Sequence, residues 1–315
     1  VNSPPKLSIL VVSFNTRALT LACLQSIKRF PPSGPYEVIV IDNASQDGTA
    51  GAITEGVPWA HLIASTENLG FAKANNLGMR EACGDILVLL NSDTEVHPEA
   101  LSILQSAFRD DPGLAAAGGK LLNSDGSLQH GLRYFPSLSN ALSEALFLHH
   151  LFHGPLWSEV EARPAVYEEA RSAEWLSGAY LAVRKSWYEK VGGLDAGFFM
   201  YSEDTDWCWR IHQGGGVIRY LPDSLVTHHG GGSSGGNPDL HIMRFLAKDR
   251  FARIHFTSGM AALYRLGLVA GLLLRGLLCI PVSPLGARYR QACLWRLKAA
   301  VDLFTHPLPP DASHD

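Results

Sequence analysis

The chain has 315 residues, 46% hydrophobic and 18% charged, with a formal net charge of −4, which suits one large domain with an appendage or two smaller domains. Its five cysteines (Cys23, Cys83, Cys208, Cys279, Cys293) are scattered with no Cys-x-x-Cys spacing, which speaks against a disulfide framework or a zinc knuckle and for a reducing compartment. The first six residues run straight into a strand pattern, so no signal peptide is expected and the catalytic part reads as cytosolic.

Residues 7–14 are a near-continuous apolar run rich in β-branched side chains, the pattern of a strand covered on both faces. A helix is expected over 16–29, ended by Pro31 and Pro32, then a strand at 36–41 with a polar exit loop at 42–48. A helix from Thr49, a short strand at 61–64, a helix at 70–82 stopped by Gly84 and a strand at 85–90 continue the alternation. Repeated strand–helix units imply a parallel sheet with right-handed crossovers, in which ligands bind beyond the carboxyl ends of the strands. Asn15, Asp42 and Asp93 each sit at or just past such an end.

The alternation then weakens. Residues 131–172 mix aromatic, His, Pro and acidic side chains without periodicity, and a long, partly mobile excursion or lid is expected there. Strand character returns at 175–183, followed by a short helix at 185–191, a glycine turn at 214–216 and a strand at 217–221. The glycine-rich stretch 227–236 is the expected domain boundary, dividing a catalytic domain at 1–232 from a helical segment at 233–315.

That segment is unusual in charge. Between His241 and Ala300 there are ten Lys and Arg residues and one acid, Asp249, around the most apolar run of the chain, 266–280. Apolar faces with basic residues suit an anionic membrane surface. Spanning is disfavoured, because Arg275 inside the apolar run would cost about 2.5–3.5 kcal/mol. The alternative is a buried helical hairpin.

Two acidic clusters carry most of the chemistry. Asn91, Ser92 and Asp93 end an apolar strand, where a carboxylate can hold a divalent metal against a diphosphate. Glu203, Asp204, Thr205 and Asp206 open a helix after an aromatic run, and a carboxylate from this second segment can take a proton from an attacking hydroxyl. Ordinary structural roles compete with these readings. Ser202 has the look of an N-cap, acids favour a first helical turn, and Asp206 and Arg210 have the spacing of a helical ion pair. Asp42 could simply close an Asx-turn, Asp93 could cap the helix near Pro98, and Trp175 could be a core residue. His228 and His229 are neighbours whose side chains should diverge, so that only one can face a site.

The ordered set of motifs resembles the family-2 inverting glycosyltransferases. The donor-half residues are Ser13-Phe14-Asn15, Asp42-Asn43, residues 68–76 and Leu90-Asn91-Ser92-Asp93-Thr94; the acceptor-half residues are 175–178, 199–204 and Arg210. The match covers residues 7–233 and is most similar to rhamnosyltransferase-like enzymes of bacterial cell-surface polysaccharide synthesis. The resemblance implies a GT-A fold of α/β class, a Rossmann-like nucleotide-binding parallel sheet continued by a small mixed acceptor sheet, here with a C-terminal helical segment. It implies an inverting, metal-dependent transfer from a nucleotide-sugar donor, dTDP-rhamnose by subgroup, to a saccharide or lipid-linked acceptor. Asp204 would be the catalytic base. Ser13, Asn15, Asp42, Asn68, Asn91 and Asp93 would form the donor site, with Asp42 accepting from the pyrimidine N–H. Asp93 and His228 would ligate Mg²⁺ or Mn²⁺, and Trp175, Gly178 and Glu203 would meet the acceptor.

The first position of the family's common Asp-x-Asp is here Asn91, an amide that brings no charge. The expected setting is peripheral, at the cytoplasmic face of the plasma membrane, with no nucleic-acid partner. Three rivals stand beside this reading. A processive polysaccharide synthase would carry several spans and a Gln-x-x-Arg-Trp motif, which 291–296 imitates poorly. A sugar nucleotidyltransferase would need a glycine-rich phosphate loop after the first strand. A non-catalytic nucleotide-sugar-binding protein is suggested by Asn91 alone.

Overall fold

The computed structural model describes residues 5–230, 238–281 and 286–305. The chain forms two compact units, Val1–Phe135 with Glu159–Gly235 and Pro136–Ser158 with Gly236–Asp315.

The first unit opens with β1 (Leu7–Ser13), α1 (Arg17–Arg29), β2 (Tyr36–Asp42), α2 (Thr49–Gly56), β3 (His61–Ala64), α3 (Gly70–Glu81) and β4 (Ile86–Leu90), within two residues of the expected bounds. Period-two alternation decides which way each side chain faces. In β1, Leu7, Ile9 and Val11 enter one apolar core, while Leu10 enters a second core on the opposite face of the sheet. Strands β3, β2, β1 and β4 lie in that order and run parallel. The order reverses beside β1, and the exits of β1 and β4 meet at that switch point, where such sheets bind ligands.

The chain continues through β5 (Thr94–Val96), α4 (Ala100–Asp110), β6 (Leu114–Leu122), β7 (Leu128–Gln129) and β8 (Leu132–Arg133). The expected excursion at 131–172 is divided between the two units: its middle supplies α5 (Leu138–Ala145), and its end supplies β9 (Arg171–Ser172). The strand expected over 175–183 is two strands, β10 (Trp175–Leu176) and β11 (Tyr180–Arg184). It breaks because the Gly178 N–H is drawn to the Asp204 side chain instead of a neighbouring strand. After α6 (Lys185–Val191) and α7 (Glu203–Gln213) comes β12 (Val217–His228), twelve residues where five were expected. Strand β11 lies antiparallel between β4 and β6, so the sheet is mixed beyond β4. Strands β8 and β10 form a separate antiparallel pair.

In the second unit α5 joins α8 (Pro238–His255), α9 (Ser258–Cys279) and α10 (Ala287–Thr305) around Tyr264, Leu268, Leu272 and Leu303. Gly271 and Gly276 let α9 approach its neighbours, since a Cβ there would press on Ala145 and Leu297. The single acid of the basic stretch, Asp249, is buried and binds Arg265 at 2.7 Å and Arg253 at 3.1 Å. Arg275 is turned away from the apolar surface, donating to the Glu144 carbonyl and lying over the Phe147 ring. Helix α9 is long and apolar enough to cross a membrane. One side of it is packed inside the unit; the other exposes Leu263, Leu266, Leu273, Leu274, Leu277 and Leu278 without a charge among them. Of the glycine-rich junction at 227–236, residues 227 and 228 close β12, and the expected boundary at 232/233 lies outside the described residues.

Candidate active site

The donor-side residues gather at the carboxyl ends of β1, β2 and β4. Ser13 is fully buried, and its hydroxyl is spent on Thr20 at 2.7 Å and Thr16 at 3.2 Å, so it steadies the turn into α1. Asn15 takes a left-handed conformation, with φ of 53°. There it bridges two exit loops: its N–H donates to Ser45 Oγ at 2.9 Å, and its Oδ1 accepts from the Gln46 N–H at 2.7 Å. Asp42 is buried at the end of β2. Its Oδ2 accepts weakly from the Ser45 N–H at 3.3 Å, and its Oδ1 has no hydrogen-bond partner. A buried acceptor without a donor is costly, and a ligand N–H would satisfy it.

Asn68 reaches the same loops through Asn43, whose amide donates to Asn68 Oδ1 at 2.8 Å while its own Oδ1 accepts from the Leu69 N–H at 2.8 Å. Sequence reasoning quoted Asn43 without giving it this joining role. Gly70, expected only as the start of a helix within the 68–76 motif, adopts φ of 74° and sits so close to Phe199 that a Cβ would meet its carbonyl oxygen at 2.5 Å. The neighbouring Phe71 N–H donates to that carbonyl at 2.9 Å, which ties the donor half to the segment leading into α7.

The two ends of the cleft meet at β4 and β12. Because His228 pairs in register with Thr94, the last residue of β12 lands beside Asp93. The His228 Nδ1–H donates to Gln129 Oε1 at 2.6 Å, which turns Nε2 toward Asp93 Oδ1 at 3.2 Å. Asn91 Nδ2 stands 3.3 Å from the same nitrogen, and Asn91 Oδ1 is buried without a partner. His229 diverges as expected, to Ser124 and Glu95, and its N–H donates to the Asp93 carbonyl at 2.9 Å.

A carboxylate oxygen and an imidazole nitrogen at this distance can share a proton as an ion pair or take a divalent cation between them. Their 3.2 Å separation matches cis ligands about 2.1 Å from an octahedral ion, which lie about 3 Å apart. Among the described residues no cluster of three or more His, Cys, Asp or Glu could hold a metal. The donor set is therefore one carboxylate, one imidazole and the unpartnered Asn91 amide oxygen. It fits an ion that keeps waters or phosphate oxygens for its other positions. Gln129, which orients the imidazole, carried no signal in the sequence.

The start of α7 meets the turn between β10 and β11. Asp204 Oδ2 accepts from the Gly178 N–H at 2.8 Å, and Oδ1 accepts from the Thr205 N–H at 2.8 Å. Burial pushes its pKa above the usual carboxylate value, against the pull of those N–H groups and of the Arg133 charge. Glu203 is buried with Oε2 unpartnered, and burial, joined by the charges of Asp204 and Asp206, raises its pKa well above normal. Ser202 occupies the N-cap position, but its hydroxyl does not cap: Tyr201 and Ser202 both have positive φ, 73° and 63°, where the side chain is carried away from the first turn. Asp206 pairs with Arg210 at 2.8 Å, and Arg210 donates to the Gly193 carbonyl at 2.6 Å, so this pair anchors α7. Trp175 is mostly buried, with its indole N–H donating to the Tyr134 carbonyl at 2.8 Å. A buried carboxylate with a raised pKa can act as a general base.

Residues 8–209 match the family described as Glycosyl transferase family 2. The chain belongs to that family. As a family-2 glycosyltransferase it is 31% identical over 224 residues to the N-acetylglucosaminyl-diphospho-decaprenol L-rhamnosyltransferase of Mycobacterium tuberculosis, covering 66% of this chain and 71% of that one. It is 26% identical to the dTDP-rhamnosyl transferase RfbF of Shigella flexneri, covering 61% of this glycosyltransferase and 59% of the relative. Among solved structures, the mannosyltransferase PcManGT of Pyrobaculum calidifontis, in complex with GDP-Man and Mn²⁺, has a TM-score of 0.58 at 19% identity, covering 96% of this chain and 88% of that one. At that identity the likeness is one of fold, and the fold is GT-A.

Proposed function

We propose that this glycosyltransferase moves rhamnose from dTDP-rhamnose to a hydroxyl of a lipid-linked saccharide, with inversion and with the help of Mg²⁺ or Mn²⁺. The observation that carries the reading is the pairing of Asp93 with His228 at 3.2 Å, with Asp204, whose raised pKa suits a base, tied through Gly178 and Ala179 to the Asn91 loop. Asp42 Oδ1, buried and without a donor, would accept the N3–H of thymine or uracil. Asn15 would line the base and ribose site, and Asn68 would hold the loop over it. Asp93 and His228, with the Asn91 amide oxygen, would hold the divalent ion. Such an ion, when bound, offsets the negative charge that grows on the leaving diphosphate. Asp204 takes the proton of the acceptor hydroxyl as its oxygen attacks the anomeric carbon from the face opposite the nucleotide. Glu203, Gly178 and Trp175 would shape the acceptor side.

Rhamnose and the lipid-linked acceptor follow what two relatives, the L-rhamnosyltransferase of Mycobacterium tuberculosis and RfbF of Shigella flexneri, are named for. A peripheral position at the inner face of the plasma membrane is supported by the uncharged outer face of α9 and the inward turn of Arg275. A binding protein without turnover is the second reading, favoured by Asn91 alone and opposed by the intact Glu203–Asp204 pair. The test is nucleoside-diphosphate release from dTDP-, UDP- and GDP-sugars with Mn²⁺ and a membrane lipid extract as acceptor, with the product's anomeric configuration read by NMR. Chelator-sensitive turnover of dTDP-rhamnose with inversion is expected. Donor binding without release, with an acceptor shown to be competent for another transferase, would favour the second reading.

A further inference from the structure

We propose that Phe71 and Phe199 supply the apolar surface against which the acceptor sugar packs, with its reacting hydroxyl turned to Asp204. This rests on the reading of Asp204 as the base that activates an acceptor hydroxyl. The point where a Cβ on Gly178 would stand lies 3.5 Å from Phe71 Cε1, 3.4 Å from Asp204 Oδ2 and 3.3 Å from Asp204 Cβ. Ring edge and carboxyl therefore border the same glycine, and a sugar that brings a hydroxyl to Asp204 comes up against Phe71.

Phe199 adds a second ring at the start of α3. Phe198 before it is buried, whereas Phe199 is 47% exposed. Among the described residues of the first unit, it and Val217 are the exposed large hydrophobic side chains. Exposure here is not looseness. The Phe199 carbonyl accepts from the Phe71 N–H at 2.9 Å, and its ring is seated on Gly70, where a Cβ would stand 2.7 Å from Cδ2 and 3.0 Å from Cε2. From there the chain passes through Tyr201 and Ser202, both with positive φ, to reach Asp204. Left-handed conformations at residues other than glycine cost free energy and collect at ligand-binding sites. Here they belong to the turn that carries the aromatic run to the base.

The chemistry of these groups suits a sugar. A pyranose has a face of C–H bonds and a rim of hydroxyls; an aromatic ring covers the face while a carboxylate accepts from the rim. Neither ring carries a charge, so the surface asks for none on the sugar it takes. Phe71 stands on the helix that follows Asn68, yet its ring edge reaches the glycine whose N–H is bound to Asp204. That contact assigns the surface to the acceptor.

Saturation-transfer NMR on the full chain, with dTDP present and no donor, tests this with the methyl glycosides of glucose, galactose and N-acetylglucosamine. The glycoside bound most tightly should receive saturation most strongly on the C–H protons of one ring face. Phe199→Ala should weaken its binding about tenfold, and Phe199→Tyr should restore it. Phe71→Leu, which keeps apolar volume without the ring, should weaken it as well. Phe199 is exposed and its hydrogen bond to Phe71 is a backbone one, so Phe199→Ala should keep the wild-type Tm and dTDP affinity even where Phe71→Leu does not. In turnover assays the Phe199→Ala loss should fall on the acceptor KM more than on kcat. Equal glycoside affinity in wild type and Phe199→Ala, or no glycoside binding to either, would overturn the proposal. So would a Phe199→Ala loss confined to dTDP-rhamnose binding, which would assign the ring to the donor sugar. Ring-dependent glycoside binding with kcat unchanged in Asp204→Asn would uphold the surface and remove Asp204 as the base.

Discussion

Asp204 and Asn91 are held to one piece of backbone: the Gly178 N–H donates to Asp204 Oδ2 at 2.8 Å, and the carbonyl of Ala179, the next residue, accepts from the Asn91 N–H at 3.0 Å. The proposed base and the proposed ion-binding loop come from segments more than 100 residues apart in the chain. The short turn between β10 and β11 fixes their spacing, and this is the reason the strand expected over 175–183 has to break. A Cβ on Gly178 would stand 3.4 Å from Asp204 Oδ2 and 3.3 Å from its Cβ, so the turn has no slack.

Glu203 should limit stability at neutral pH. Its folded pKa lies above its unfolded value, so its contribution is fully present below the unfolded pKa and is lost as pH rises through the folded pKa. Glu203→Gln should therefore melt at a higher temperature than wild type at pH 8, with the gap closing toward pH 4, where both forms are neutral. Each kcal/mol of relief corresponds to about 2–4 °C in Tm. An equal gap at both pH values would place the origin of the effect elsewhere.

Gln129 should govern ion affinity without touching the ion. Its Oε1 accepts from the His228 Nδ1–H at 2.6 Å, and its amide donates to the His228 carbonyl at 3.3 Å and to Asn123 Oδ1 at 2.8 Å. Gln129→Leu should weaken Mn²⁺ binding about 10–100-fold, and Gln129→Glu, which keeps the acceptor, should retain it. Titration of the Mn²⁺ EPR signal reads this directly, and unchanged affinity in Gln129→Leu would show that His228 needs no such support.

Asp42→Asn should weaken dTDP and UDP binding. The loss of a charged acceptor for a ring N–H is worth about 1.5–3 kcal/mol, or roughly 10–100-fold in Kd. Calorimetry with dTDP checks this; undiminished affinity would mean the orphan Oδ1 faces no base.

Gly70→Ala should destabilise the first unit. The position needs φ of 74°, and the added Cβ would meet the Phe199 carbonyl oxygen at 2.5 Å. Left-handed strain alone costs about 1–3 kcal/mol. A fall in Tm with a parallel loss of dTDP binding is expected, because the clash lies where the donor loops meet the approach to α7.

Much of this was legible in the residues and some was not, for physical reasons. Strands β1, β2 and β4 announce themselves because most of their residues are buried on both faces, so their runs are largely apolar, whereas β3 is a partly exposed edge strand recognised by its place in the alternation. Asp42, Asp93 and Asp204 stand at ends of elements, where a carboxylate has few reasons to be other than a turn former or a ligand group. Gln129 could not be found this way, since a glutamine on a two-residue strand has no pattern, and its meaning lies in which histidine it faces. Ser13 belongs to a motif, but its hydroxyl turns out to be engaged by Thr16 and Thr20. The Ser202 cap failed because the chain enters α7 through two left-handed residues, a choice made by tertiary packing around Phe199 and not by local propensity. The middle of the excursion at 131–172 looked irregular because its apolar residues pack with helices far along the chain, within the second unit.

The most direct measurement is steady-state dTDP release from dTDP-rhamnose by wild type and Asp204→Asn, with Mn²⁺ and a lipid-linked acceptor, alongside dTDP affinity for both proteins. The account predicts that kcat falls about 10²–10⁴-fold in the variant while dTDP affinity stays the same. Equal kcat values in the two proteins would contradict it, and would remove Asp204 from the reaction.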